Sequence, residues 1–158
     1  MSKKYIHYGH TNFDRDLFVP VRNGRHINKP VGGLWASPVG AERGWYNWCK
    51  NNEFVLGRLK TSFEFVLSQN ARVLELTPDN VWDLPVDGKS YFTRSSRHEG
   101  DIFCPSMVEA IDFEALAQEY DVLSCSLTEN PSLYWSLYGW DCDCILVLNP
   151  DVIVEVSE

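Results

Sequence analysis

Near its end the chain carries four apolar residues in an unbroken row, Ile145-Leu146-Val147-Leu148, between two turn signals. Side chains alternate across a strand, so a run with no polar position belongs to a strand covered by protein on both faces. The fold must therefore supply packing on both sides of a sheet whose interior includes this segment. The run is entered through Trp140-Asp141-Cys142-Asp143-Cys144 and left through Asn149-Pro150-Asp151, and a further extended stretch follows over 152–156. If the alternation reaches back into the entrance, Asp141 and Asp143 share one face and Cys142 and Cys144 the other. A carboxylate placed there either closes a turn or does chemistry.

The other elements are short. Residues 5–9 (YIHYG) are rich in β-formers and end at Gly9, which reads as a strand. Gly32-Gly33 leads into a second strand, Leu34-Trp35-Ala36-Ser37, closed by Pro38. Residues 41–51 read as a helix with Trp45, Trp48 and Cys49 on one face. Alternation predicts strands at 62–67 and 72–76, adjacent in the sheet, then a helical turn at 81–84. Residues 85–105 show little periodicity and read as a long loop. Asp112 caps a helix running to Tyr120, a strand follows at 121–127, and Asn130-Pro131-Ser132 opens a last short helix. About six strands and a few helices, without strict alternation, predict an α+β fold with a largely antiparallel sheet. No repeat divides the chain, so residues 1–158 read as a single domain.

Composition narrows the function. Lys and Arg number 14 against 22 Asp and Glu, a net charge of −8, which argues against stable nucleic-acid binding and against an anionic membrane surface. No apolar stretch approaches the roughly 18 residues of a membrane helix. The five cysteines form no CxxC pair and no disulfide framework, so a reducing, cytoplasmic setting is expected. Six Trp residues exceed what packing alone asks for and suit a site that stacks planar rings.

Several chemistries find little support. His7 and His10 with Cys142 and Cys144 could supply four metal ligands, but an i, i+3 pair on a strand faces both ways and CxC is not a usual zinc spacing, so no metal is expected. Cys49 and Cys104, with His26 and His98 as conceivable partners, lack any local mark of an activated thiol. Gly32-Gly33 precedes a strand, whereas phosphate-binding glycine loops precede a helix.

Three stretches remain: His7-Tyr8-Gly9-His10-Thr11, Gly33-Leu34-Trp35-Ala36-Ser37 with the aromatic helix behind it, and Asp143-Cys144-Ile145-Leu146-Val147 running on to Asn149 and Asp151-Val152. In this order they resemble the motifs of the ADP-ribosyltransferase superfamily, in its His-Tyr-Glu branch, which includes the poly(ADP-ribose) polymerases and diphtheria toxin. Trp35 stands where that branch has Tyr, and Asp143 where it has Glu. In the first motif the glycine match, which is preferred, puts Tyr8 in the His place and His10 in the Ser/Thr place, and the alternative match puts His7 in the His place.

The resemblance implies a split, mostly antiparallel sheet and NAD as a substrate. It implies mono-ADP-ribosyl transfer to a macromolecule, a protein target foremost, with nicotinamide released, as in phage and bacterial conflict effectors. Asp143 would be the catalytic carboxylate, with Asp141 as the other candidate. His7, Tyr8, Gly9, His10 and Thr11, with Trp35, Ser37 and Trp45, would hold the NAD. Within that set Trp35 is the ring platform and Gly9 the grip on the amide, while Arg15, Arg22 and Lys29 are candidates to face the pyrophosphate. NAD hydrolysis, or a non-catalytic binding or inhibitor protein in the same shell, is the alternative.

Overall fold

A computed structural model describes residues 2–24, 28–93, 106–137 and 139–156. Strand β1 (Lys4–Tyr8) pairs antiparallel with β3 (Ser62–Leu67) at five positions, from Lys4 opposite Val66 to Tyr8 opposite Ser62. On its other side it pairs with β2 (Leu34–Pro38) at only two, Tyr5 with Pro38 and Ile6 with Ser37. The rest of β2 runs with β8 (Cys144–Val147), where Leu34, Trp35 and Ala36 lie opposite Val147, Leu146 and Ile145. Beyond Ile6 the sheet is therefore split, with β1 leaving alongside β3 and β2 leaving alongside β8.

The complete sheet has seven strands in the order β4-β7-β8-β2-β1-β3-β9, with β4 (Val73–Glu75), β7 (Val122–Cys125) and β9 (Ile153–Glu155) completing it. Every neighbouring pair is antiparallel except β4 with β7. The expected adjacency of the strands at 62–67 and 72–76 does not occur. They lie towards opposite ends of the sheet, and β4 is held beside β7 by Asp121, whose buried carboxylate accepts from Arg72 N at 2.8 Å, Nη2 at 3.0 Å and Nε at 3.2 Å. A two-stranded sheet, β5 (Val86–Thr93) with β6 (Ser106–Ile111), replaces much of the loop expected over 85–105, and residues 94–105, including His98 and Cys104, lie outside the described residues. Three short helices complete the α+β domain: α1 (Trp45–Asn52), α2 (Phe113–Glu119) and α3 (Leu133–Ser136).

The two faces of the sheet carry two cores. One gathers Leu123, Cys125, Cys144 and Leu146 with Trp140 and with Phe113 and Leu116 of α2, and the other gathers Tyr5, Phe63, Phe65, Val122, Ile145 and Val147. Neighbours in sequence thus fall into opposite cores, as the strand period demands. All four residues of β8 are buried, which satisfies the unbroken apolar run. At about 1.5–3 kcal/mol for each large aliphatic side chain buried, β8 is a main source of stability. Gly33 admits this packing, since a Cβ there would stand 2.6 Å from Leu146 Cδ1 and 2.9 Å from the Val147 carbonyl oxygen. Among the described residues, no helix is long and apolar enough to cross a membrane.

Candidate functional site

A cavity of about 400 Å³ opens where the sheet splits. That volume suits a small-molecule ligand. Ile6, His7 and Tyr8 of β1 and Trp35, Ala36 and Ser37 of β2 form its base, and Trp45 of α1 stands over it. Phe54, Val55 and Arg58 also line it, as do Lys29, Gly139, Trp140, Asp141, Cys142 and Cys144.

The split leaves main-chain groups for a ligand. Strand residues turn their N–H and C=O alternately to one neighbour and the other. The Gly9 N–H donates to the Thr61 carbonyl at 2.9 Å, on the β3 side, and the Lys4 carbonyl accepts from Val39 N at 3.0 Å, on the β2 side. Tyr8 shares the parity of Lys4, so its N–H and C=O point into the split, where β2 offers no strand partner. The Gly9 N–H, expected from sequence to grip a ligand amide, is therefore already engaged, and it is the Tyr8 main chain that faces the split.

His7 is the latch across the split. Its Nδ1–H donates to the Trp35 carbonyl at 2.7 Å, which leaves Nε2 to accept from His10 Nδ1–H at 3.0 Å. Burial lowers the His7 pKa, and His10 and Arg58 add to the effect against the opposing pull of the Trp35 carbonyl, so the ring is neutral at pH 7. Tyr8 is raised, first by burial and then by Tyr46 and Glu64, and keeps its phenolic proton. His10 and Thr11 are exposed and do not line the cavity.

Trp35 is the aromatic wall. Trp140 packs edge-on against it with centroids 4.7 Å apart, and Lys29 Nζ lies 5.6 Å from its ring centroid. A ring face that attracts an ammonium also suits a cationic heteroaromatic ring. Ser37 has another job: its buried Oγ accepts from Trp45 N at 2.9 Å, capping α1 where the N-cap residue, Gly44, has no side chain to do so. Trp45 stacks on Trp48 at 5.2 Å.

The two carboxylates part company. β8 begins only at Cys144, after a bend at 142–143, so the alternation does not extend back to Asp141. Asp141 lines the cavity beside Cys142 and Cys144. Among the described residues, no hydrogen bond or ion pair engages its carboxylate. Asp143 faces away from the cavity and is buried, accepting from Thr128 N at 3.0 Å and from Thr128 Oγ1 at 2.5 Å. The arrangement expected from sequence, with both acids on one face and both thiols on the other, gives way to Asp141 with the thiols in the cavity and Asp143 as a clamp on the segment after β7. A hydrogen bond with Cys142 and burial raise the Cys144 thiol well above its usual range, so it stays protonated.

Of the loop cations, Arg15 pairs with Asp151 and Arg22 is exposed, while Lys29 reaches the cavity. Sequence reasoning passed over Phe54, Val55 and Arg58. The available signal was a basic residue flanked by apolar ones in an acidic chain. A second cavity, of about 350 Å³, lies near Glu114, Gln118 and Asn149, and its charged centre is the Arg72–Asp121 pair, already joined. Among the described residues, no group of three or more His, Cys, Asp and Glu side chains could hold a metal ion. Comparison with protein-family models, with curated proteins and with solved structures finds no match.

Proposed function

We propose that this chain is an NAD-dependent mono-ADP-ribosyltransferase, with Asp141 as its working carboxylate. The observation that carries the reading is the coincidence of the split between β1 and β2 with the cavity, where unpaired Tyr8 main chain, the Trp35 ring and Asp141 converge. In this reading the nicotinamide lies against Trp35 and its carboxamide pairs with the Tyr8 N–H and C=O. The bond from the ribose C1′ to the ring nitrogen breaks, and its electron pair leaves with nicotinamide, which becomes neutral. The positive charge then developing on the ribose is stabilised by the fixed carboxylate of Asp141. A nucleophilic group of a protein target attacks C1′, and its proton passes to Asp141 or to water. The neutral His7, latched to Trp35, keeps the two halves of the sheet at a fixed separation.

The test is nicotinamide release from NAD in the presence of cell lysate or purified candidate targets, for wild type and Asp141→Asn. Release with transfer to protein, and its loss in the variant, supports the reading. Release to water alone points to an NAD hydrolase. Binding without release points to a non-catalytic NAD-binding protein, and no binding overturns the reading.

A further inference from the structure

We propose that Arg58 is a specificity-determining residue that makes the cavity select a ligand carrying a phosphate next to its ribose over the same ligand without it. The inference rests on the nucleotide reading above and adds what that reading leaves open: which side chain distinguishes a nucleotide from a nucleoside.

Two cations line the cavity, Lys29 and Arg58, in a chain of net charge −8. Among the described residues, neither has a carboxylate within salt-bridge distance. Against the single carboxylate that lines the cavity, Asp141, two cations without such partners leave it locally attractive to anions in an otherwise acidic protein. Their settings differ. Lys29 is engaged with the face of Trp35. Arg58 lies by the end of β1, with its Cδ 4.0 Å from the position a Cβ on Gly9 would take, and its charge acts on His7 across the same cavity. A planar fork of N–H donors matches phosphate oxygens better than the single ammonium of Lys29 does.

The segment that carries Arg58 is held in an unfavourable backbone. Glu53 closes α1 in the left-handed region with φ of 50°, and Val55 follows with φ of 41°. A β-branched residue there is a clear outlier. The Val55 carbonyl accepts from Arg58 N at 2.9 Å in the 3-10 helix Leu56–Lys60, so the strained residue sets the start of the turn that presents Arg58. Strain of this kind persists where the surroundings over-determine it and gathers at ligand clamps. A Cβ at Gly9 would meet Arg58 only at ordinary contact distance, so it is the Gly9 φ of 110°, which other residues rarely adopt, that calls for glycine at this end of the strand.

The experiment is calorimetric titration of nicotinamide mononucleotide and nicotinamide riboside, which differ only by the phosphate, into wild type, Arg58→Met, Arg58→Lys and Val55→Gly, with melting curves to confirm folding. Wild type is expected to bind the mononucleotide at least about ten-fold more tightly, and added salt should narrow the gap. Arg58→Met should bring the two ligands within about three-fold by weakening the mononucleotide alone, with Arg58→Lys between. Val55→Gly should melt no lower than wild type and lose part of the discrimination. Equal binding of both ligands by wild type overturns the proposal while leaving the NAD reading standing. So does an Arg58→Met protein that keeps the gap or weakens both ligands alike. Full discrimination in Val55→Gly overturns the role given to the strained turn. If neither ligand nor NAD binds wild type, the NAD reading falls and this proposal with it.

Discussion

Replacing Asp143 and Asp141 one at a time should separate stability from activity. Asp143 is buried and receives two hydrogen bonds from Thr128, at 3.0 Å from the main chain and 2.5 Å from the hydroxyl. Bonds to a charged acceptor contribute about 1.5–3 kcal/mol each, but Thr128 is exposed and water can replace part of the loss. Asp143→Ala should therefore destabilise by about 2–3 kcal/mol, which for a domain of this size is a fall of about 4–12 °C in Tm. Asp141 has no such bonds, and Asp141→Ala should stay within about 0.5 kcal/mol of wild type. Urea unfolding followed by tryptophan fluorescence measures both. Thr128→Val combined with Asp143→Ala should cost less than the sum of the single changes, because the two residues share one interaction. An Asp143→Ala protein as stable as wild type, yet devoid of nicotinamide release, would refute the division of roles and return the catalytic assignment to Asp143.

Three further outcomes follow from the geometry. Arg72 and Asn149 hold the Asp121 carboxyl well below the usual carboxylate range, so its contribution is complete above about pH 4 and is lost as pH falls through the folded-state value. Asp121→Asn should accordingly cost about 2–4 kcal/mol at pH 7 and visibly less near pH 2.5 in urea titrations, and a gap that widens in acid would contradict this. Gly33→Ala should unfold the chain or lower its Tm sharply, since φ of 69° and the 2.6 Å approach to Leu146 both oppose it, whereas Gly40→Ala, with open space around it, should show only the milder backbone cost. Burial first, with nearby Asp143 and Cys142 adding to it, pushes the Cys125 thiol up to about 12, so Cys125 and the buried Cys144 should resist iodoacetamide at pH 8 in the native protein and react after denaturation, as read by mass spectrometry.

Much of the frame was legible because it rests on local patterns. The apolar run became β8, the Ser62–Leu67 strand appeared with its expected bounds, Asp112 caps α2 through Ala115 N, and Trp45, Trp48 and Cys49 share a face of α1. What escaped depends on distant partners. Alternation in Arg72-Val73-Leu74-Glu75-Leu76 signals a strand but is silent on its neighbour, and the buried Asp121, 49 positions away, makes that choice. Asp141 and Asp143 do not share a face because the strand rule does not reach them: residues 140–143 are irregular, with a bend at 142–143, and β8 begins at Cys144. The cavity residues Trp35, Tyr8 and Lys29 are among those the resemblance singles out, whereas Arg58 offers only the weak signal of a basic residue among apolar ones, and its place near Gly9 depends on a left-handed backbone at Val55 that no propensity predicts.

The central claim is that the cavity at the split between β1 and β2 receives the nicotinamide end of NAD. Crystals of the protein soaked with NAD test it most directly. The account predicts the nicotinamide ring against the face of Trp35 with Lys29 displaced from it, the carboxamide on the Tyr8 main chain, and Asp141 beside the nicotinamide ribose. NAD seated elsewhere, for instance by Arg72 in the second cavity, or a split left empty at saturating NAD, would contradict it.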